Sequence, residues 1–153
     1  MKLAQITPLD AHALLMDDWL FDRVSDDGVD RSTYQLPRDH VYIGVFDPSP
    51  IGFFWLHPDT SSALNIHINM MEQYKGKGAD AARLFLSEFK TNARDDLNKL
   101  ICKIPVIYSD VYHFAKKLGF QDEGLDRKSI KKGGKIIDRH ILGIMREEIT
   151  WAQ

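Results

Sequence analysis

The residues Ile66 to Ala79, IHINMMEQYKGKGA, alternate like a strand, pass through a turn of lysines and glycines, and run into a helical pattern near Ala79. Glycine lets a backbone come close to a ligand, and the helix that follows adds the positive end of its dipole. The stretch therefore predicts a seat for a phosphate or pyrophosphate. Its ammonium groups would come from Lys75 and Lys77, and its directional N–H groups from Gly76, Lys77, Gly78 and Ala79. No Lys-Ser or Lys-Thr pair follows the second glycine, so the nucleotide-kinase loop is excluded. The three-glycine dinucleotide pattern is absent as well. A phosphate-bearing molecule of another kind is expected.

Candidate proton-transfer groups lie close by. Along Leu64–Met70, a period of two puts Asn65, His67 and Asn69 on one face, and Leu64, Ile66, Ile68 and Met70 on the other. Histidine titrates near pH 6.5, so His67 could accept a proton directly or through water. It could equally be a core histidine bonded to a neighbouring strand. Glu72, at the strand's end, is a weaker candidate base whose default reading is a solvated carboxylate. Tyr108 and Tyr112 are four apart and would share a helical face. Either could donate a proton, Tyr112 being preferred, or both could cover the core with aromatic area. His113 and His140 read as surface or structural, and His57 beside Pro58 carries no signal. No HExxH or similar ligand pair occurs, so no metal site is expected. Cys102, the lone cysteine, sits in the apolar run Leu100–Ile104 and reads as a core thiol.

The elements that must position these groups follow from pattern. Lys2–Thr7 reads as a strand and Pro8 as a helix start, with Leu9, Leu14, Leu15, Trp19 and Leu20 on one face. Val24–Asp39 is polar and irregular. Val41–Phe46 and Ile51–Leu56 read as strands joined by Asp47–Pro50. The Leu64–Met70 strand and a helix Ala79–Asn92 come next, with Ala82, Phe85, Leu86 and Phe89 facing inward. A fifth strand, Leu100–Ile104, and a helix Ser109–Leu118 ended by Gly119 follow. Two late strands, Gln121–Ile130 and Ile136–Glu147, flank Lys131–Gly134 as a hairpin. This order predicts one mixed α/β domain over residues 1–153, with no repeats or linkers.

Composition agrees. The 153 residues carry 44% apolar side chains, enough for one sizeable core, and the formal charge of −2 draws the chain to neither nucleic acid nor lipid. No stretch approaches the roughly 20 apolar residues that span a bilayer. A soluble, cytoplasmic protein is expected, with no membrane partner. Arg127, Lys128, Lys131, Lys132, Lys135 and Arg139 gather around the last hairpin. They lack regular aromatic interleaving, so a nucleic-acid module is not expected. Exposed aromatics such as Trp55 or Trp151 leave a homodimer open.

The strand and helix order, with this turn after the fourth strand, resembles the GNAT superfamily of acyl-coenzyme A-dependent N-acyltransferases over nearly the whole chain. Family members carry Arg/Gln-x-x-Gly-x-Gly/Ala at the turn, and its amides grip the coenzyme A pyrophosphate. Gln73–Gly78 matches formally, but the surrounding text places Lys75, Gly78 and Asp80 on the three positions, with Asp80 where the family has glycine or alanine. Phe114–Phe120, with Leu118–Gly119–Phe120, looks like the family's helix end before the sixth strand. Glu123–Gly124, Arg127 and the Gly134 to Arg139 portion resemble the branch that includes ribosomal-protein N-terminal acetyltransferases and related phage-encoded proteins. Ala115 replaces the tyrosine often used as general acid, and Tyr108 and Val111 fall where that branch has Asn and Ser.

The resemblance implies a central, mostly antiparallel sheet with a parallel splay of the fourth and fifth strands, and flanking helices. It implies acetyl-coenzyme A as co-substrate, no metal, and an acceptor amine on a protein N-terminus, a lysine or a small molecule. The cofactor would meet Met70, Lys75, Gly76, Lys77, Gly78, Ala79 and Asp80, and His67, Glu72 and Tyr112 would supply the chemistry. The polar Val24–Asp39 region would help select the acceptor. The basic hairpin could meet an acidic protein substrate, the coenzyme's 3′-phosphate or a nucleic-acid backbone, or simply be solvated. The departures at Asp80, Ala115, Tyr108 and Val111 favour the alternative, a catalytically inactive binding or assembly protein of phage origin.

Overall fold

The computed structural model describes residues 1–150, so the expected interfacial Trp151 lies outside the described residues. The elements, in chain order, are β1 (Lys2–Ile6), α1 (Pro8–Leu15), α2 (Asp18–Val24), β2 (Val41–Phe46), β3 (Pro50–Pro58) and β4 (Ala63–Met70). A 3-10 turn (Glu72–Lys77) leads into α3 (Gly78–Asn92), followed by β5 (Lys99–Pro105), α4 (Ser109–Lys117), β6 (Gln121–Lys132) and β7 (Lys135–Met145). Two compact units interleave along the chain. One holds Met1–His57 with Ile66–Ala82, the other Pro58–Asn65 with the chain from Arg83 on.

In the first unit the strands run β1-β2-β3-β4. β1 pairs antiparallel with β2 from Lys2↔Phe46 to Ile6↔Tyr42, and β2 pairs antiparallel with β3 from Val41↔Leu56. The single helix expected from Pro8 is two. Thr7 caps α1 in a reciprocal box with Asp10, and the Asp17 carboxylate accepts the Leu20 N–H at 3.1 Å, starting α2 afresh. The break lets Ala11, Leu15, Leu20 and Phe21 join Leu36, Tyr42 and Phe53 in one apolar core. No regular element forms between Ser25 and His40.

The second unit orders its strands β4-β5-β7-β6. β4 and β5 pair in parallel at Ala63↔Lys99, Leu64↔Leu100 and Asn65↔Ile101, whereas β5–β7 and β6–β7 are antiparallel. The sheet is thus mostly antiparallel with one parallel pairing. Helix α3 buries Phe85, Leu86 and Phe89, and α4 buries Ala115. Gly119, at φ +104, ends α4 in the left-handed conformation that glycine adopts freely. The last two strands extend further toward each other than the sequence pattern indicated. Gly133 (φ 59) and Gly134 (φ 76) make a two-residue turn with Lys132 opposite Lys135, so both strands reach the turn itself. No helix among the described residues is long and apolar enough to cross a membrane.

Candidate functional site

The lysine–glycine stretch is a helical lead-in rather than an open glycine loop. Glu72–Lys77 forms the 3-10 turn, and Gly78 (φ −61, ψ −36) is already right-handed helix. Neither Gly76 nor Gly78 has a positive φ, and a Cβ on Gly76 would meet open space. The Gly78 N–H is donated to the Lys75 carbonyl, which corrects its expected role as an outward donor. The first turn of α3 beyond it, starting at Ala79, lies at the positive end of a 15-residue helix. Asp80 is exposed in that turn, and Met70, just before the lead-in, is buried.

Both lysines already have partners. The Lys77 ammonium bonds the Asp47 carboxylate at 2.5 Å, which holds Asp47 below and Lys77 above their ordinary ranges. The Lys75 ammonium stands 5.7 Å from the Trp19 ring centre, and Arg23 stacks on the same indole at 4.9 Å. Spacing alone could not reveal this, because Asp47 and Trp19 lie far from the turn in sequence. The donor set still suits a diphosphate. It has two exposed ammonium groups, a helix N-terminus and open space beside Gly76. Lys77 must share or release Asp47 to take part.

On β4 the expected alternation does not set burial. Ala63, Ile66, Asn69 and Met70 are buried, while Asn65 and His67 are half-buried. Asn69 is 1% exposed and its amide reaches the His67 carbonyl at 3.4 Å. His67 Nε2 lies 3.3 Å from His57 Nε2. The two rings are nearly parallel at 5.5 Å, and the Trp55 ring is 5.1 Å from His67. His40, immediately before β2, stacks on His57 at 4.8 Å and accepts the Trp55 indole N–H at Nδ1. His57, given no weight in sequence, is therefore the direct neighbour of His67. The available signal was Trp55 and His57 sharing one face of a strand. Glu72 is exposed at the head of the 3-10 turn, as a solvated carboxylate would be.

In the second unit, Tyr108 precedes α4 as its N-cap residue (φ −99, ψ 67) instead of sharing a helical face with Tyr112. Lys132 lies 6.0 Å from its ring centre. The Tyr112 hydroxyl donates to the Asp122 carboxylate at 2.9 Å, and this bond raises the phenol's pKa while lowering that of Asp122. Tyr112 is thus a weaker acid than its sequence position promised. Its ring packs 4.4 Å from His140, whose buried Nδ1 has no hydrogen-bond partner and lies 3.8 Å from Asp122 Oδ2. Burial pushes the Cys102 thiol up to about 12, which suits an inert core thiol. No group of three or more metal-ligating side chains is found among the described residues.

No protein-family model matches the chain, and no curated protein sequence does. Solved structures match over nearly its whole length. A spermidine N-acetyltransferase SpeG variant from Vibrio cholerae is 16% identical, with 96% of each chain covered and a TM-score of 0.76. A GNAT-family acetyltransferase from Bacillus anthracis is 17% identical, with 95% of each chain covered and a TM-score of 0.71. A ribosomal-protein-alanine N-acetyltransferase from Brucella melitensis is 14% identical, covering 95% of this chain and 99% of its own, at 0.69. The chain has the GNAT acetyltransferase fold. The matches are spread over diverse enzymes and do not single out the ribosomal or phage branch.

Proposed function

We propose that this chain is an N-acetyltransferase that moves an acetyl group from acetyl-coenzyme A to a primary amine of a protein, peptide or small molecule. The observation that carries this reading is the passage from β4 through a two-lysine 3-10 turn into the N-terminus of α3, within a GNAT fold. Acetyl-coenzyme A, when bound, supplies the thioester whose acetyl carbon the amine attacks. The chain's own residues bind and move protons. Lys75, Lys77 and the first-turn amides of α3, beginning with Ala79, hold the diphosphate, with Met70, Gly76, Gly78 and Asp80 lining its approach.

His67 takes the amine proton, directly or through water, with Glu72 as the second candidate. Backbone N–H groups of β4 are the candidate donors to the oxyanion. Protonation of the leaving thiolate falls to water, or to Tyr112 once its bond to Asp122 opens. Such a protein would work in the cytoplasm, as a monomer or a homodimer.

Titration with acetyl-coenzyme A tests the reading. A ligand with Kd near roughly 10 μM stabilises the fold by about 2.7 kcal/mol at about 1 mM, a readable rise in Tm. Lys75→Ala should weaken binding by roughly 10- to 100-fold, the loss of one charge-assisted contact. Thiol release in the presence of amines and peptide N-termini then tests turnover. No binding by the wild type, with the variant indistinguishable from it, favours the second reading, an inactive binding or assembly protein. That reading draws on the Lys77–Asp47 bond and on Asp80 in the first turn of α3.

A further inference from the structure

We propose that His57 and His67 form one proton-accepting unit, binding a single proton between their Nε2 atoms and titrating as a pair. The inference deepens the proposed role of His67 and rests on that reading for its catalytic consequence, though not for the pair itself. At 3.3 Å the two Nε2 atoms share one hydrogen bond, which requires a proton on one nitrogen and a lone pair on the other. When both rings are neutral, one donates to the other. A first added proton gives an imidazolium bonded to an imidazole, so the pair keeps its bond. A second proton would set two N–H groups and two positive charges against each other. The pair therefore takes up its protons in two separated steps, the second at distinctly lower pH.

The surroundings hold this geometry. Trp55 packs against both rings, at 5.1 Å from His67 and 6.2 Å from His57, and carries no charge. His40 is the titratable group stacked on His57, at 4.8 Å with the rings 14° apart. An indole N–H can only donate, so His40 Nδ1 keeps its lone pair while Trp55 bonds it at 2.9 Å. Asp39 adjoins His40 in the chain, and its charge is felt at Tyr42, on β2. Asn69, on β4, bonds the His67 carbonyl rather than its ring.

Proton transfer balances as follows. The acceptor ammonium gives one proton to His67 Nδ1, and His67 gives its Nε2 proton to His57 Nε2. The amine becomes neutral and nucleophilic, His67 remains neutral, and His57 becomes the imidazolium. His57 is then a positioning residue that acts through His67.

Side-chain NMR titration of the full-length protein reads the coupling without any substrate. His57 and His67 should each show two-step curves, and in His57→Gln the His67 curve should collapse to a single step. Independent single-step curves in the wild type, or a His67 curve unchanged by His57→Gln, overturn the proposal. If thiol release is observed, His57→Gln should shift the pH profile of kcat/KM and lower kcat roughly tenfold or more, with the acetyl-coenzyme A KM little changed. A coupled titration with an unmoved pH profile overturns the catalytic role. Coupled curves with no thiol release uphold the shared proton and remove the acetyltransferase reading instead.

Discussion

Two glycines with the same small side chain face different constraints. A Cβ on Gly52, in β3, would lie 2.4 Å from the Asn69 carbonyl oxygen and 3.0 Å from the Met70 Cα, so backbone would have to move. A Cβ on Gly143, in β7, would meet the Glu123 carboxylate and the Lys99 stem at 2.7 Å, and both belong to long side chains that can swing away. Gly52→Ala should therefore cost about 2–3 kcal/mol and Gly143→Ala under about 1 kcal/mol. Urea midpoints of the two variants check this, and equal costs would show that the strand spacing at Gly52 is slack.

Helix α3 shows how an element depends on groups remote in sequence. Its amphipathic face places Phe85 and Phe89 four apart with stacked rings 6.5 Å from each other. Its end is closed by Arg146, which follows β7. The guanidinium donates to the carbonyls of Lys90 (3.0 Å), Ala93 (3.0 Å) and Arg94 (2.9 Å), and its Cζ lies 5.9 Å from the Phe89 ring centre. Of these three, the Lys90 carbonyl lies in the last turn of α3, where intrahelical donors run out, and the other two follow the helix directly. Arg146→Ala should cost about 2 kcal/mol, the scale of charged hydrogen bonds to neutral acceptors. Arg146→Lys should recover only part of that, because one ammonium cannot reproduce the planar fork. Denaturant unfolding distinguishes the two variants. A lysine variant as stable as wild type would assign the effect to charge alone.

Across the whole molecule, paired carboxylates contribute to the pH dependence of stability in acid. Asp47, Asp122 and Asp126 are all held below their ordinary 3.8. For Asp126 burial pushes upward, and the bonds and charges of Lys103 and Arg139 outweigh it. A carboxylate whose folded pKa is depressed adds stability above its unfolded value, and that stability is lost as pH falls through the folded value. Stability from these groups should be complete above about pH 5 and decline below about pH 4. Asp126→Asn should flatten the fall, measured as urea midpoint against pH. An unchanged acid slope would show that the Asp126 carboxyl titrates alike in the folded and unfolded chain.

Local pattern was enough for the strands, the α3 and α4 spans to within a residue or two, the glycine stop at Gly119 and the basic turn ahead of α3. Each of these rests on forces between residues close along the chain: side-chain period, caps and the φ freedom of glycine. The GNAT-like order of elements followed from them. What the lysines and histidines are bonded to did not, because those partners arrive from other strands and helices. Asp47 reaches Lys77, Trp19 reaches Lys75, His57 reaches His67 and Asp122 reaches Tyr112 only once the chain has folded. Proton affinity and charge availability depend on distance in space, which sequence spacing does not encode. The tertiary structure therefore decided that one lysine is shared, one phenol is restrained, and one histidine has a second ring within reach of its proton.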